Sequence, residues 1–145
     1  MNEKTAQSLE SGGKSVSQNQ LLLIAADLEE RRLLLAELLE AGHDVLPLPG
    51  LVSAVRAILM RLVTPSLILL DAHGDERATP ANVEELLGLM PEVPLILVVS
   101  AINSSRWEPL RPRLAELLRR PIRVGEVVAA VNRQRVFESQ RDGSQ

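Results

Sequence analysis

The stretch SLILLDAHGD, residues 66–75, sets an acid directly after an apolar run. Leu67, Ile68, Leu69 and Leu70 read as a strand buried on both faces, and Gly74 breaks the pattern just beyond, so Asp71 stands at a strand's carboxyl end. A carboxylate in that place has two uses. It can be a nucleophile that forms an acyl phosphate, with a metal and a cation neutralising the oxygens of the transferred group, or it can cap the loop that follows. Three other polar residues close strand-like runs in the same way: Asp27 just past LLLIAA, Ser100 after PLILVV, and Arg120 near the end of LAELLRR. With Asp71 they would make one site.

The elements that must hold these residues alternate along the chain. LLLIAA (residues 21–26) reads as a buried strand, and DLEERRLLLAELLEAG follows as a helix with Leu28, Leu35, Leu38 and Leu39 on one stripe and Gly42 as its stop. DVLPLP is a short strand whose Pro47 demands an edge position, and LVSAVRAILMRLV is a second helix. The strand before Asp71 leads through a loop to TPANVEELLGLM, with Thr79 as N-cap and Pro80 at the first helical position, and then to the strand PLILVVS. AINSSRWEPLRPRLAELLRRP carries Pro109 and Pro112, which should shorten or break a helix there, and VGEVVAAVNRQRV repeats Val124, Val127, Val128 and Val131 at helical spacing. Five strands separated by helices of crossover length predict an α/β, flavodoxin-like, doubly wound five-stranded parallel sheet in the order 2-1-3-4-5. In such sheets ligands collect outside the carboxyl ends of the strands, where Asp27, Asp71, Ser100 and Arg120 fall.

Composition bounds the rest. The chain of 145 residues suits one folded unit over about residues 20–137, between a polar flexible tail at 1–19 and another at 138–145. With no cysteine there is no disulfide framework and no thiolate metal site, and the apolar runs fall short of a bilayer span, so a cytoplasmic location without membrane association is the expectation. Residues 106–141 hold nine arginines against four acids, either a basic surface for an acidic partner or a solvated helix face. With one Trp, one Phe and no Tyr, stacking platforms for single strands are missing, and nucleic acid is not expected as a partner. AADLEER after the first strand has no glycine where a dinucleotide fold needs several, which argues against a small enzyme or cofactor binder.

The four strand-end positions, with the Arg120-Pro121 dipeptide, resemble the receiver domain of two-component response regulators, the family of the chemotaxis protein CheY, over about residues 20–134. The resemblance implies that Asp71 is the phosphoacceptor, that Ser100 within VVSA is the switch hydroxyl, and that Arg120, before a cis-Pro121, stands where the family has a lysine. It also implies a Mg²⁺ site built from an acidic pair closing strand 1, the phosphoacceptor and a backbone carbonyl, here that of His73. In this chain the pair falls on Ala25 and Ala26, and Asp27 lies one position late, so the implied metal site of Asp27, Asp71 and the His73 carbonyl is weak or lost. Replacing a compact ammonium by a planar fork at Arg120 is likewise not a conservative change.

Each of these residues has a plainer reading. Asp27, with Glu30 three residues on, makes a capping-box-like start to the first helix. Ser100 can be an ordinary strand-end serine, His73 a loop residue, Trp107 a core plug rather than an interface anchor, and Arg120 either solvent-exposed or paired directly with Asp71 as a standing charge-assisted bond. The resulting expectation is a non-enzymatic signalling module of a phosphorelay. It would act by protein-protein interaction with a histidine kinase or downstream effector, or as a homodimer, with impaired Mg²⁺-dependent phosphorylation. The alternative is an active receiver phosphorylated on Asp71 by a histidine kinase.

Overall fold

The computed structural model describes residues 20–143, so the tail expected over 1–19, and residues 144–145 of the one expected over 138–145, lie outside the described residues. Five parallel strands, β1 (Gln20–Ala25), β2 (Asp44–Leu48), β3 (Leu67–Asp71), β4 (Leu95–Ser100) and β5 (Glu116–Arg120), form one sheet in the order β2-β1-β3-β4-β5. The α/β architecture and strand order expected from the sequence are therefore present. Strands β1, β3 and β4 are continuous apolar runs because helices cover both faces, and their interiors are fully buried. Pro47 lies opposite Leu23 on edge strand β2, where a missing N–H can face away from the ladder.

Alternation along the strands sorts their side chains into two cores. On one face Leu22, Ile24, Ile68, Leu70 and Leu97 pack against α2 (Leu51–Leu59), α3 (Pro80–Leu89) and a 3₁₀ segment, Ser104–Arg113. On the other, Leu21, Leu23, Leu67, Leu69 and Ile96 meet Leu34 and Leu38 of α1 (Leu28–Glu40) and Val127 and Val131 of α4 (Val124–Gly143). Thr79 caps α3 as expected, its Oγ1 accepting from the N–H of Asn82 at 3.2 Å. Helix α4 continues to Gly143, past residue 137 where the sequence pattern closes the folded unit, since nothing between the two positions breaks a helix.

The stripe on α1 is corrected. Leu28 and Leu39 are about half exposed, and the buried side is Leu34 and Leu38, with Leu35 half-buried beside them. LEERRLLLAELLE places leucines on several faces at once, so spacing alone leaves the rotation of the helix undetermined. The β4–β5 crossover also follows its prolines. Pro109 and Pro112 cannot donate to an α-helical ladder, and the whole segment winds as a 3₁₀ helix that buries Trp107 and Leu110, three residues apart. Trp107 is thus a core plug.

Candidate functional site

Asp71 ends β3 on the α1/α4 face, continuing the alternation of Leu67 and Leu69. It is 2% exposed, the one buried charged residue among the described residues. Oδ1 accepts the backbone N–H of His73 at 3.0 Å, and Oδ2 accepts from Nη2 of Arg120, so both oxygens have a protein donor. Arg120 comes from the end of β5, in register with Ser100 of β4, and precedes the cis peptide bond to Pro121 that the resemblance implies. Of its two expected alternatives, Arg120 takes the direct pairing with Asp71.

The same guanidinium holds a second carboxylate. Nη1 donates to Glu30 Oε2 at 2.9 Å, and Nη2 donates to Glu30 Oε1, so Arg120 joins α1 to β3 and β5. This corrects the capping-box reading. Asp27 does cap α1, its Oδ1 accepting from the N–H of Glu30 at 3.0 Å, but the Glu30 carboxylate turns to Arg120 instead of returning to the cap. Glu30 is the site residue that the sequence reading assigned a different role. Its signal was its spacing, because Glu30, Leu34 and Leu38 repeat at i, i+4, i+8 and share the inward side of the helix.

The charges shape one another. Burial pushes the Asp71 carboxyl above the usual aspartate range, opposed by the His73 N–H and by Arg120. Glu30 is held below the usual range by its hydrogen bonds from Arg120. Burial works against the Arg120 charge, but hydrogen bonds to Glu30 and Asp71 outweigh it and raise the guanidinium further. Nε of Arg120 is buried without a partner among the described residues, so the guanidinium is aimed by the two carboxylates rather than by satisfaction of all its donors.

The donor set does not fit Mg²⁺. An octahedral ion needs oxygens, usually with one or two protein carboxylates free to bind it. At the end of β1, Ala25 and Ala26 offer none, and their carbonyls accept from Nη1 of Arg31, at 2.7 and 3.4 Å. Asp27 is exposed and engaged at its helix cap, and both Asp71 oxygens are taken. No group of three or more His, Cys, Asp or Glu side chains is clustered as a metal site among the described residues. Arg31 thus holds the end of β1 where the resemblance puts an acidic pair, and Arg120 holds the Asp71 carboxylate that the implied metal would share.

The remaining site residues fall elsewhere. Ser100 accepts the N–H of Ile102 on its Oγ at 3.3 Å and lines a cavity with His73, apart from the small pocket that contains Asp71, Arg120 and Glu30. Asp75 anchors the loop between them. Its Oδ2 accepts the N–H of Leu51 at 2.8 Å and its Oδ1 that of Arg77 at 3.0 Å, supplying from a distance the cap that Gly50 cannot give α2. A side chain at residue 50 would crowd that carboxylate, since a Cβ there would lie 3.3 Å from Asp75 Oδ2.

No family model and no curated protein sequence matches the chain. Solved structures do. The receiver domain of NtrX from Brucella abortus superposes with a TM-score of 0.66 at 22% identity, covering 78% of this chain and 95% of that one. A longer NtrX structure from the same organism covers 86% of this chain at 21% identity and TM-score 0.70, and this chain spans 28% of its length. The signal receiver domain of a putative Luxo repressor protein from Vibrio parahaemolyticus gives a TM-score of 0.71 at 15% identity, over 88% of this chain and 97% of that one. Strand order, helix placement and these superpositions together give the chain the fold of response-regulator receiver domains.

Proposed function

We propose that the protein is a receiver-like signalling module that acts by protein-protein interaction, with a histidine kinase or a downstream effector as the class of partner, and with Mg²⁺-dependent phosphorylation of Asp71 impaired. The observation that carries this reading is the closure of Asp71 by Arg120 and the His73 N–H. Transfer of a phosphoryl group to a carboxylate needs a free oxygen in line with the donor and cations placed beforehand to neutralise the group's three oxygens. Here the available cation already binds the nucleophile, and Glu30 adds a negative charge beside the position an incoming phosphoryl group would take. The structural neighbours with receiver in their names support the signalling class, because they share the architecture that presents Asp71.

The buried placement of Asp71 at the end of β3 favours the one competing reading, an active receiver phosphorylated on that residue. Incubation with acetyl phosphate and Mg²⁺, with incorporation followed by mass spectrometry, separates the two. Little or no labelling over the time in which an intact receiver is fully labelled is expected. Rapid, Mg²⁺-dependent labelling abolished by Asp71→Asn would establish the active receiver instead.

A further inference from the structure

Next to the pocket of the Asp71 clamp, between the loop after β3 and the turn after β4, lies a cavity of about 350 Å³, with His73 and Ser100 in its wall. Its floor is apolar and belongs to the α2/α3 core: Ala78, Val99 and Trp107, all 5% exposed or less. Its rim is charged. Arg106 stands over the Trp107 ring, 5.5 Å from the centroid, and Glu76 lies on the loop after β3; neither has an ion-pair partner among the described residues. Asp75 is also on the rim, but its two oxygens are spent on the N–H groups of Leu51 and Arg77. Asn103 completes the rim with a side-chain amide that makes no hydrogen bond among the described residues.

We propose that this cavity binds a small zwitterion of the amino-acid type, its carboxylate on Arg106 and its ammonium group on Glu76, with Asn103 beside them. One cation and one free anion face the same space without pairing with each other, so a ligand carrying both charges satisfies what neither half satisfies alone. A lone anion would meet the carboxylates of Glu76 and Asp75, and a lone cation would meet Arg106. The apolar floor takes a short hydrocarbon side chain. The volume lies at the lower end of small-molecule sites, and the place, outside the carboxyl ends of parallel strands, is where doubly wound sheets bind their ligands.

The test is calorimetric titration of the full chain with each of the common amino acids, and with acetate and methylamine as the two half-ligands. The fluorescence of Trp107, the sole tryptophan, serves as a second readout. At least one amino acid is expected to saturate the protein and to bind at least about tenfold more tightly than either half-ligand. Arg106→Met and Glu76→Gln, both at exposed positions, are each expected to weaken that binding by about tenfold or more, while Arg111→Met on the same 3₁₀ segment leaves it unchanged. The proposal is overturned if no amino acid saturates the protein, if acetate binds as tightly as the best amino acid, or if binding survives both rim variants. None of these outcomes depends on whether Asp71 is phosphorylated.

Discussion

The guanidinium of Arg120 is in direct contact with the carboxylate of Asp71, a pair formed between the ends of two strands that are not neighbours in the sheet. A metal in this place would be exchangeable, and its departure would change the charge of the site. A covalently tethered cation does not leave. The cation beside Asp71 is therefore supplied by the sequence itself, and Glu30 holds the same guanidinium. The proposed reading, a module that transmits by the surfaces it presents, rests on this tethered cation.

Removing the cation should be costly, and removing both charges much less so. Asp71 is buried, and a buried carboxylate that loses its partner carries an uncompensated desolvation cost of about 3 kcal/mol or more. Arg120→Met, which retains much of the aliphatic stem, is expected to lower stability by about that amount in urea unfolding. Adding Asp71→Asn should restore most of it, because the amide needs no counter-charge. Simple additivity of the two substitutions would show that the contact contributes nothing.

How much of this was legible in the sequence depended on the kind of signal. Strand order and the edge place of β2 followed from continuous apolar runs and from Pro47, and Pro109 and Pro112 forecast the irregular crossover, because proline acts on the backbone through its own ring. The rotation of α1 did not follow, since its leucines point in several directions, and with the rotation went the role of Glu30. Asp71 and Arg120 could be placed at strand ends, and the strand order allowed their direct pairing as one of two alternatives, but the second carboxylate on the guanidinium arrives from a helix. The charged rim joins Glu76 on the loop after β3 to Arg106 on the distant 3₁₀ segment and left no local trace.

The acid limb of the stability curve should contain a contribution from Glu116 on β5. Hydrogen bonds from Arg133 and Gln134 hold its carboxyl below the usual glutamate range, Arg133 being the larger cause and burial opposing it. A carboxyl whose folded value is depressed stabilises the protein above its unfolded value, and that stability is lost as pH falls through the folded value. Urea midpoints measured from about pH 3 to 7 should therefore fall less steeply toward acid in Glu116→Gln than in the parent chain. An unchanged acid slope would remove Glu116 from the account.

Trp107 should matter more to stability than any other residue of the crossover. It is 3% exposed, in one core with Leu97 and Val99 of β4, and with Leu110 it is one of the two residues of the 3₁₀ segment that the core buries. Trp107→Ala is expected to cost about 3 to 5 kcal/mol. Ile102→Ala, in the same connection but 90% exposed, should change the unfolding midpoint hardly at all. Equal effects of the two would mean that the crossover is not anchored by the core.

A metal site should return only when its oxygens are restored and its internal cation is moved. Ala25 ends β1 in register with Asp71 and Ala26 follows it, so Ala25→Asp and Ala26→Asp put two oxygen-bearing side chains where Mg²⁺ finds none. Those substitutions alone leave Arg120 on Asp71 and offer it further carboxylates, so a modest gain in Mg²⁺ affinity is expected. Adding Arg120→Lys replaces the planar fork, which reaches Asp71 and Glu30 at once, by a single compact ammonium that cannot bridge them in the same way. The triple variant should therefore bind Mg²⁺ more tightly than the double, and both more tightly than the parent chain, in a calorimetric titration. Because Ala25 is buried, new carboxylates there should also lower stability without metal, and saturating Mg²⁺ should recover it through preferential binding to the folded state. If the parent chain binds Mg²⁺ as tightly as the triple variant, the arginines do not exclude the metal, and the closure of Asp71 by Arg120 is a contact that a bound ion displaces.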